Sequence, residues 1–351
     1  PRWLGNALGG LQLSLDEDEV VLAVLGSEEA AQHQFAAGFV ARRFSLAGDD
    51  CVGWAKEIVS GHPYWSPDLK GVFLANLPAI PGVWDIAEIA GAEVDRAYWI
   101  RSQHYGLPER GEACLRAARK LIEHGRPHTA VDLLDLYFDE IPGGPPGDLV
   151  AEALEASMRT EPLTPLDQMF TYHAGRHLDR LAEQAFDGER LAALEWLYLP
   201  VFRHEKRRSP ILHSALANNP ADFVEVVSMV YRAEGEEPRE LSEIEQAKAK
   251  TAMHLLGSWQ DVPGTLHDGT IDREQLFTWV TETRQLLCEA GRLKSGDHRI
   301  GQVLRYGPLP NGDEWPCEPI RELIEAVASD DLEDGFRLEV YNSRGMTSRI
   351  I

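Results

Sequence analysis

Apolar residues recur with helical period through most of the chain, and the clearest case lies on either side of Gly125-Arg126-Pro127. Glycine commonly ends a helix, and proline suits the first turn of the next one. Two predicted helices flank this break, and each has its apolar residues on one face: Ala113, Ala117, Leu121 and Ile122, then Ala130, Leu133, Leu134, Tyr137 and Phe138. The small residues allow close approach, so residues 109–140 are predicted to form an antiparallel helix hairpin.

The same arrangement returns twice further along the chain. Residues 166–201 contain a turn at Asp187-Gly188, and residues 276–304 contain a break at Gly291-Arg292. Other stretches with helical spacing lie at 35–44, 52–59, 69–77, 84–89, 94–105, 220–231 and 241–259. No single pair of helices is large enough to bury its own apolar face, and stacking on neighbouring pairs solves this. The predicted fold is therefore all-α, an α-solenoid of stacked antiparallel helix hairpins with irregular repeats.

One segment interrupts the helical pattern near the middle of the chain. Residues 141–147 read Ile-Pro-Gly-Gly-Pro-Pro-Gly, a composition that cannot be helical. We expect a hinge here, between N-terminal helical repeats over 1–141 and C-terminal helical repeats over 148–351. Because the chain starts at Pro1 rather than at a methionine, we also expect it to be a fragment of a longer protein.

Charge restricts the class of partner. The 351 residues include 34 Lys and Arg against 57 Asp and Glu, which gives a formal net charge of −23. Such a negative field disfavours nucleic acid as a partner. The four cysteines form no C-x-x-C pair, as is usual in a reducing compartment, and no apolar run approaches the ~20 residues that span a bilayer. We therefore expect a cytoplasmic chain without a membrane segment, and a protein as its partner.

Two histidines form the best candidate for a metal site. His173 and His177 are four residues apart on a predicted helix, which places both imidazoles on one face, as a zinc pair requires. No third ligand and no H-E-x-x-H glutamate accompany them, so two polar residues on a solvent-exposed face are the simpler interpretation. A metal-dependent hydrolase that uses His173 and His177 remains an alternative. No P-loop, G-x-S-x-G or G-x-G-x-x-G motif occurs, so we expect no catalytic residue and no cofactor in this chain.

The run from Asp268 to Asp272 resembles the middle of a calcium loop. The carboxylates that such a loop needs at its first, third and twelfth positions are absent. Asp272 is instead predicted to be the N-cap of the helix that carries Leu276 and Val280.

Aromatic residues and arginines supply the candidates for a recognition surface. Most of the nine tryptophans are expected to be anchors between helices, although some could line a concave surface. The candidates for such a surface are Trp84, Trp99, Tyr341, Arg344 and Arg349. The short basic run at 204–208 leaves a nucleic-acid-binding helical module as a second alternative, against the overall charge.

Two resemblances to known families add to this interpretation. The spacing Ala117-x3-Leu121-x3-Gly125-x4-Ala130 resembles the helix-turn-helix core of tetratricopeptide repeats, within the broader class of TPR/HEAT-like solenoids. Residues 190–200, 212–217, 223–225, 230–232 and 341–345 are similar to the C-terminal helical part of large bacterial proteins, and that similarity covers roughly residues 100–351. Some of those proteins look like multidomain ATPases that act in defence against phage.

The second resemblance implies that the catalytic domains lie elsewhere and that the helical repeats sense, bind or scaffold. It transfers no catalytic residue onto this chain. The expected function is therefore a non-catalytic protein-interaction, sensor or scaffold module of a larger bacterial multidomain protein. The identity of the partner and the oligomeric state stay open.

Overall fold

The computed structural model describes residues 1–11, 24–27, 29–104, 111–160, 168–202, 209–259, 261–266 and 268–306, together with Glu318, Pro319, Glu322, Leu323 and Ala326. Within these residues the regular structure consists of sixteen α-helices and three short 3-10 helices. Strand-like pairing among them is limited to isolated bridges, one of which joins Thr265 and Ile271. The all-α prediction is confirmed for this part of the chain.

The chain divides into two compact units, Pro1–His177 and Leu178–Ile351. The helices of the first unit are α1 (Arg2–Gly9), α2 (Ala30–Leu46), α3 (Cys51–Gly61), α4 (Pro67–Ala75), α5 (Pro81–Ile89), α6 (Ala92–Arg101), α7 (Glu112–Glu123), α8 (Pro127–Leu136) and α9 (Gly147–Thr160). Short 3-10 helices lie at Val24–Gly26, Gly48–Asp50 and Phe138–Glu140. The division between the units falls within α10 (Gln168–Glu183).

The helices of the second unit are α11 (Gly188–Phe202), α12 (Pro210–Asn218), α13 (Pro220–Val230), α14 (Glu243–Ser258), α15 (Arg273–Glu289) and α16 (Leu293–Tyr306). Their shared core is built around three aromatic rings, Phe223, Trp259 and Trp279, whose centroids lie 5.0–6.3 Å apart. None of the helices described in either unit is both long and apolar enough to cross a membrane.

The predicted hinge over 141–147 is not where the division between units falls. This segment joins the 3-10 helix at Phe138–Glu140 to α9, and α9 packs against both α8 and α7. The helices on the two sides of the segment therefore belong to one packed group. This packing does not favour a domain boundary at 141–147.

Local sequence signals determine where many helices begin. Five helices have proline as their first residue, a position whose N–H would have no partner within the helix: α4, α5, α8, α12 and α13. Ser242 starts α14 through a capping box with Glu245. The side chain of Asp272 accepts a hydrogen bond from the Gln275 N–H at 3.1 Å, which confirms the prediction that Asp272 is an N-cap.

The predicted hairpin around Gly125 is present, because α7 and α8 pack against each other. Gly125 has a φ of 75°, and the N–H of Arg126 donates to a carbonyl in the last turn of α7 at 2.7 Å. The same pattern ends α15, where Gly291 has a φ of 64° and the Arg292 N–H donates at 2.8 Å. Both ends are Schellman motifs, in which the left-handed residue is usually glycine.

The arginine after each of these glycines also binds the end of an earlier helix. Arg126 Nη1 donates to the carbonyls of Trp99 at 2.8 Å and Ser102 at 2.6 Å, at the end of α6. Arg292 Nε donates to the Tyr231 carbonyl at 2.7 Å, just beyond α13. The Gly-Arg dipeptides thus end one helix and satisfy carbonyls of another. The finer prediction, a solenoid of stacked hairpins, remains a proposal.

Glycines also allow one pair of helices in the first unit to approach very closely. A methyl group added at Gly5 would collide with the Phe35 carbonyl, and one added at Gly38 would collide with the Arg2 carbonyl. These contacts bring the backbones of α1 and α2 together on both sides. The position of α1 therefore depends on the absence of side chains at Gly5 and Gly38.

Candidate functional site

An open groove lies in the second unit along three consecutive helices. Helix α12 packs against both α11 and α13, and side chains from all three enclose a space of about 620 Å³. This space, the α11–α13 groove, is lined by one face of residues 188–196, 211–218 and 219–229. Natural sites for ligands or peptide segments have volumes in this range.

One side of helix α12 packs in the core, and another side lines the groove. Leu212 and Leu216 are buried, and the Leu216 carbonyl accepts a hydrogen bond from Trp279 Nε1 at 3.2 Å within the aromatic core. Ile211 and Ala215, which precede them by one position, are only half-buried and line the groove. One side of α12 is thus fixed by the core, and the other presents apolar surface.

The flanking helices add further apolar surface. On α11, Ala193 is exposed and Trp196 is half-buried; on α13, Met229 is half-buried and lies beside the buried Val226. Small residues leave room for an incoming backbone, and tryptophan and methionine provide large or adaptable apolar surface. The groove therefore has the mixture of space and apolar contact typical of a docking site.

Carboxylates are the only charged groups among the described residues that line the groove. Glu189 comes from α11, Asp222 and Glu225 come from α13, and all three are exposed. None of them forms an ion pair within the part of the chain that the structure describes. The groove is consequently an apolar surface bordered by negative charge, in a chain whose formal net charge is −23.

One hydrogen bond joins α11 to α12, and another caps the start of α13. Glu195 Oε2 of α11 accepts a hydrogen bond from the Leu212 N–H at 2.7 Å, in a buried position. This satisfies one of the N–H groups that every helix leaves without an internal partner at its start. The Asn219 side chain accepts from the Ala221 N–H at 3.1 Å and caps α13. The shape of the groove is therefore built into the packing.

His173 and His177 face α8 but contact separate groups on it. His173 Nδ1 lies 2.7 Å from Asp132 Oδ1, and its Nε2 lies 3.5 Å from Asp135 Oδ2. His177 is 1% exposed, and its Nε2 donates to the Val131 carbonyl at 3.1 Å because a carbonyl oxygen can only accept. The described residues contain no group of three or more His, Cys, Asp and Glu that could hold a metal ion.

These contacts give no support to a metal-dependent hydrolase at His173 and His177. The simpler interpretation, two polar groups on a solvent-exposed face, is also wrong for His177. Helical spacing places the two rings on one face correctly, but it cannot show that α8 covers that face.

Trp84 and Trp99 belong to the core of the first unit. They are 1% and 0% exposed, and their ring centroids lie 5.5 Å apart. Trp99 Nε1 donates to Asp95 Oδ1 at 2.9 Å, so its polar atom is used internally. The prediction that these two tryptophans line an exposed recognition surface is therefore wrong, because neighbouring helices cover the apolar faces of α5 and α6.

The same cluster contains a buried histidine, His104. His104 stacks on Trp99 with ring centroids 4.9 Å apart and shares a 2.7 Å hydrogen bond with Ser102 Oγ. Burial, and secondly the charge of Arg126, lower the pKa of His104 to about 3. Burial likewise raises the pKa of the Cys114 thiol to about 12, which leaves it unreactive at neutral pH. Both groups act as packing residues.

Several predicted site residues lie outside the described residues. They are Tyr341, Arg344, Arg349 and the basic run at 204–208. Their predicted roles, in a recognition surface and in nucleic-acid binding, remain predictions.

Apart from the general expectation that some of the nine tryptophans line a concave surface, the sequence assigned no role to the groove residues. One signal was available: Glu189, Ala193 and Trp196 recur at helical spacing on a face of α11 apart from the buried Leu191 and Leu194. A helix face that combines a tryptophan with an alanine and a glutamate is not typical of a fully buried face. The pattern does not show that faces of α12 and α13 join it to form one concave surface.

No family model matches this chain, and neither a curated protein nor a solved structure matches it. The function must therefore be argued from the site.

Proposed function

We propose that this chain is a non-catalytic protein-interaction module and that the α11–α13 groove holds a segment of its partner protein. The observation that carries the proposal is the apolar surface of Ala193, Trp196, Ile211, Ala215 and Met229, which no other described helix covers fully. Exposed concave apolar surface in a folded protein typically marks a site of binding. As a part of a larger bacterial protein, the module would act as a sensor or scaffold, with antiphage defence as the setting that the sequence resemblance implies.

Two further features support a protein as the partner. The three carboxylates that border the groove would repel a nucleic acid, whose binding depends on Lys and Arg. The described residues that line the groove include no His, Cys or Lys next to the carboxylates. The lining is mainly apolar, which suits the burial of side chains from a partner protein. Burial of a few large apolar side chains is the main source of binding energy in peptide grooves.

A site-specific cross-linking experiment tests the proposal. A photoreactive amino acid replaces Ala193 in the groove or, as a control, Ala247, which is exposed on α14. The proposal predicts that Ala193 links to a discrete partner in the cells that produce the protein, and that Ala247 does not. The linked partner, once purified, should bind the unmodified chain with a measurable Kd.

A blocking variant provides the decisive comparison. Ser214 is exposed and lines the groove, so Ser214→Trp would fill the space without disturbing the core. The cross-link at Ala193 and the binding of the purified partner should both be lost in Ser214→Trp and retained in Ala247→Trp, with thermal unfolding unchanged in both variants. Equal cross-linking and equal Kd values in all these variants would refute the role of the groove.

A further inference from the structure

We infer, on the basis of this proposed function, that the partner segment is a short basic amphipathic α-helix. Its apolar face would contact the apolar surface of the α11–α13 groove, and its Lys or Arg residues would pair with Glu189, Asp222 and Glu225. The inference depends on the length of the groove, on the kind of surface that lines it and on its charge.

The length of the groove suits about two turns of a helix. Its lining on α11 runs from Glu189 to Trp196, and its lining on α13 runs from Asp222 to Met229. Each stretch advances seven residues, or about 10 Å at 1.5 Å per residue. Over that distance a bound helix presents residues i, i+3 or i+4, and i+7 on one face, which gives two or three apolar anchors.

The surrounding secondary structure favours a helix over an extended segment. Extended peptides usually bind by adding a strand to the edge of a sheet. The described residues contain no sheet, so no such edge is available among them. A helix satisfies its own backbone hydrogen bonds, and small residues such as Ala193 and Ala215 allow it to approach closely. Helix-in-groove docking therefore fits both the backbone and the lining.

The charges select a basic helix. Asp222 and Glu225 are three residues apart on α13, so they lie on one helix face, and Glu189 adds a carboxylate from α11. None of these carboxylates forms an ion pair in the described part of the chain. A second copy of this chain is disfavoured as the occupant, because both copies carry a formal net charge of −23.

The charged contacts are expected to tune binding rather than to supply most of it. They lie at the border of an apolar surface, where each ion pair contributes modestly and is screened by salt. Removal of all three carboxylates should weaken binding about tenfold, mainly through slower association, and should make the Kd less dependent on ionic strength. The apolar anchors on the partner should matter more.

A designed peptide provides the probe. It is a labelled helix of about 14 residues, or four turns, made of leucine, alanine and lysine, with the leucines at i, i+3, i+4 and i+7. Fluorescence anisotropy measures its Kd for the chain and for the triple variant Glu189→Gln/Asp222→Asn/Glu225→Gln. The inference predicts about tenfold weaker binding to the triple variant and loss of saturable binding to Ser214→Trp.

The control is a second triple variant with the same change in net charge at exposed positions outside the groove, Glu237→Gln/Glu240→Gln/Glu243→Gln. Its Kd should stay within twofold of the original value. Equal weakening by both triple variants would show that the general negative field of the chain holds the peptide, and this would overturn the inference. A proline in the centre of the peptide should abolish binding; unchanged binding would exclude a bound helix.

The inference and the proposed function can fail separately. Suppose that Ser214→Trp abolishes binding of the cross-linked partner while the groove triple variant binds it normally. The groove would then be a protein-binding site for a segment that is not basic, and only the inference would be wrong. If sedimentation instead shows a dimer that Ser214→Trp dissociates, the occupant is a second copy and the inference is overturned.

Discussion

Ala185 is the only non-glycine residue with a positive φ among the described residues, and this makes a stabilising substitution predictable. Its φ is 52°, at the end of α10, where the next N–H, that of Phe186, donates to the Leu181 carbonyl at 3.1 Å. This is the Schellman geometry that Gly291 adopts at the end of α15. Ala185 therefore occupies a position where glycine is favoured, so Ala185→Gly should stabilise the second unit.

The magnitude follows from two opposing terms. A residue with a β-carbon in the left-handed region costs roughly 1–2 kcal/mol, and this cost disappears in Ala185→Gly. Glycine adds freedom to the unfolded chain, which costs about 0.4–1 kcal/mol. Because Ala185 is exposed, little packing is lost. The midpoints of these ranges give a net gain of about 0.8 kcal/mol, or an increase in Tm of about 2–3 °C for a unit of this size.

Urea and thermal denaturation of three variants in the second unit test this reasoning. Gly291→Ala makes the reverse change at a left-handed position and should lower the Tm by a similar amount, since the added methyl group meets only ordinary contacts. Gly257→Ala makes the same chemical change in α14, where φ is not positive and no atom lies within 4 Å, so it should raise the Tm. A lower Tm for Ala185→Gly, or the same sign for the two Gly→Ala variants, would refute the assignment of strain to φ.

Three further perturbations have predictable outcomes. Gly38→Ala should displace α1 and destabilise the first unit by about 1–3 kcal/mol, seen as faster amide exchange confined to the first two helices; unchanged exchange there would contradict the close contact. Arg284 and Asp297 form a buried bidentate ion pair with bonds of 2.8 and 2.9 Å. Asp297→Leu breaks this pair and should lower the free energy of unfolding by about 3–5 kcal/mol, whereas the double variant Asp297→Leu/Arg284→Met should lower it much less. A double-mutant cycle measures the difference. Because folding depresses the pKa of His104, only the unfolded state binds a proton on this side chain as the pH falls below about 6.5. The free energy of unfolding should therefore keep its full His104 contribution above that pH and be about 2 kcal/mol lower at pH 5. His104→Asn should remove this part of the acid sensitivity, and an unchanged pH profile in that variant would contradict the assignment to His104.

The positions of the helices were largely accessible from the sequence, because the signals that start and stop a helix are local. Proline at a first position, Asp272 as an N-cap, and glycine at a left-handed end act through the backbone of the same few residues. The pairs around Gly125 and Gly291 were recognised for that reason. The turn after α10 was predicted at Asp187-Gly188, two and three residues beyond the left-handed residue Ala185, because alanine carries no signal for a left-handed turn.

Only the tertiary structure decided which apolar faces became core and which stayed open. Helical period shows that Trp84, Trp99 and Trp196 lie on apolar faces, but it does not show whether another helix covers them. The first two are enclosed and Trp196 borders a groove, although all three looked alike as large residues in helical pattern. The histidines on α10 differ from a metal pair for the same reason, since α8 supplies their partners. Amphipathic sequence determines how each helix forms, and long-range packing determines which surface it leaves for binding.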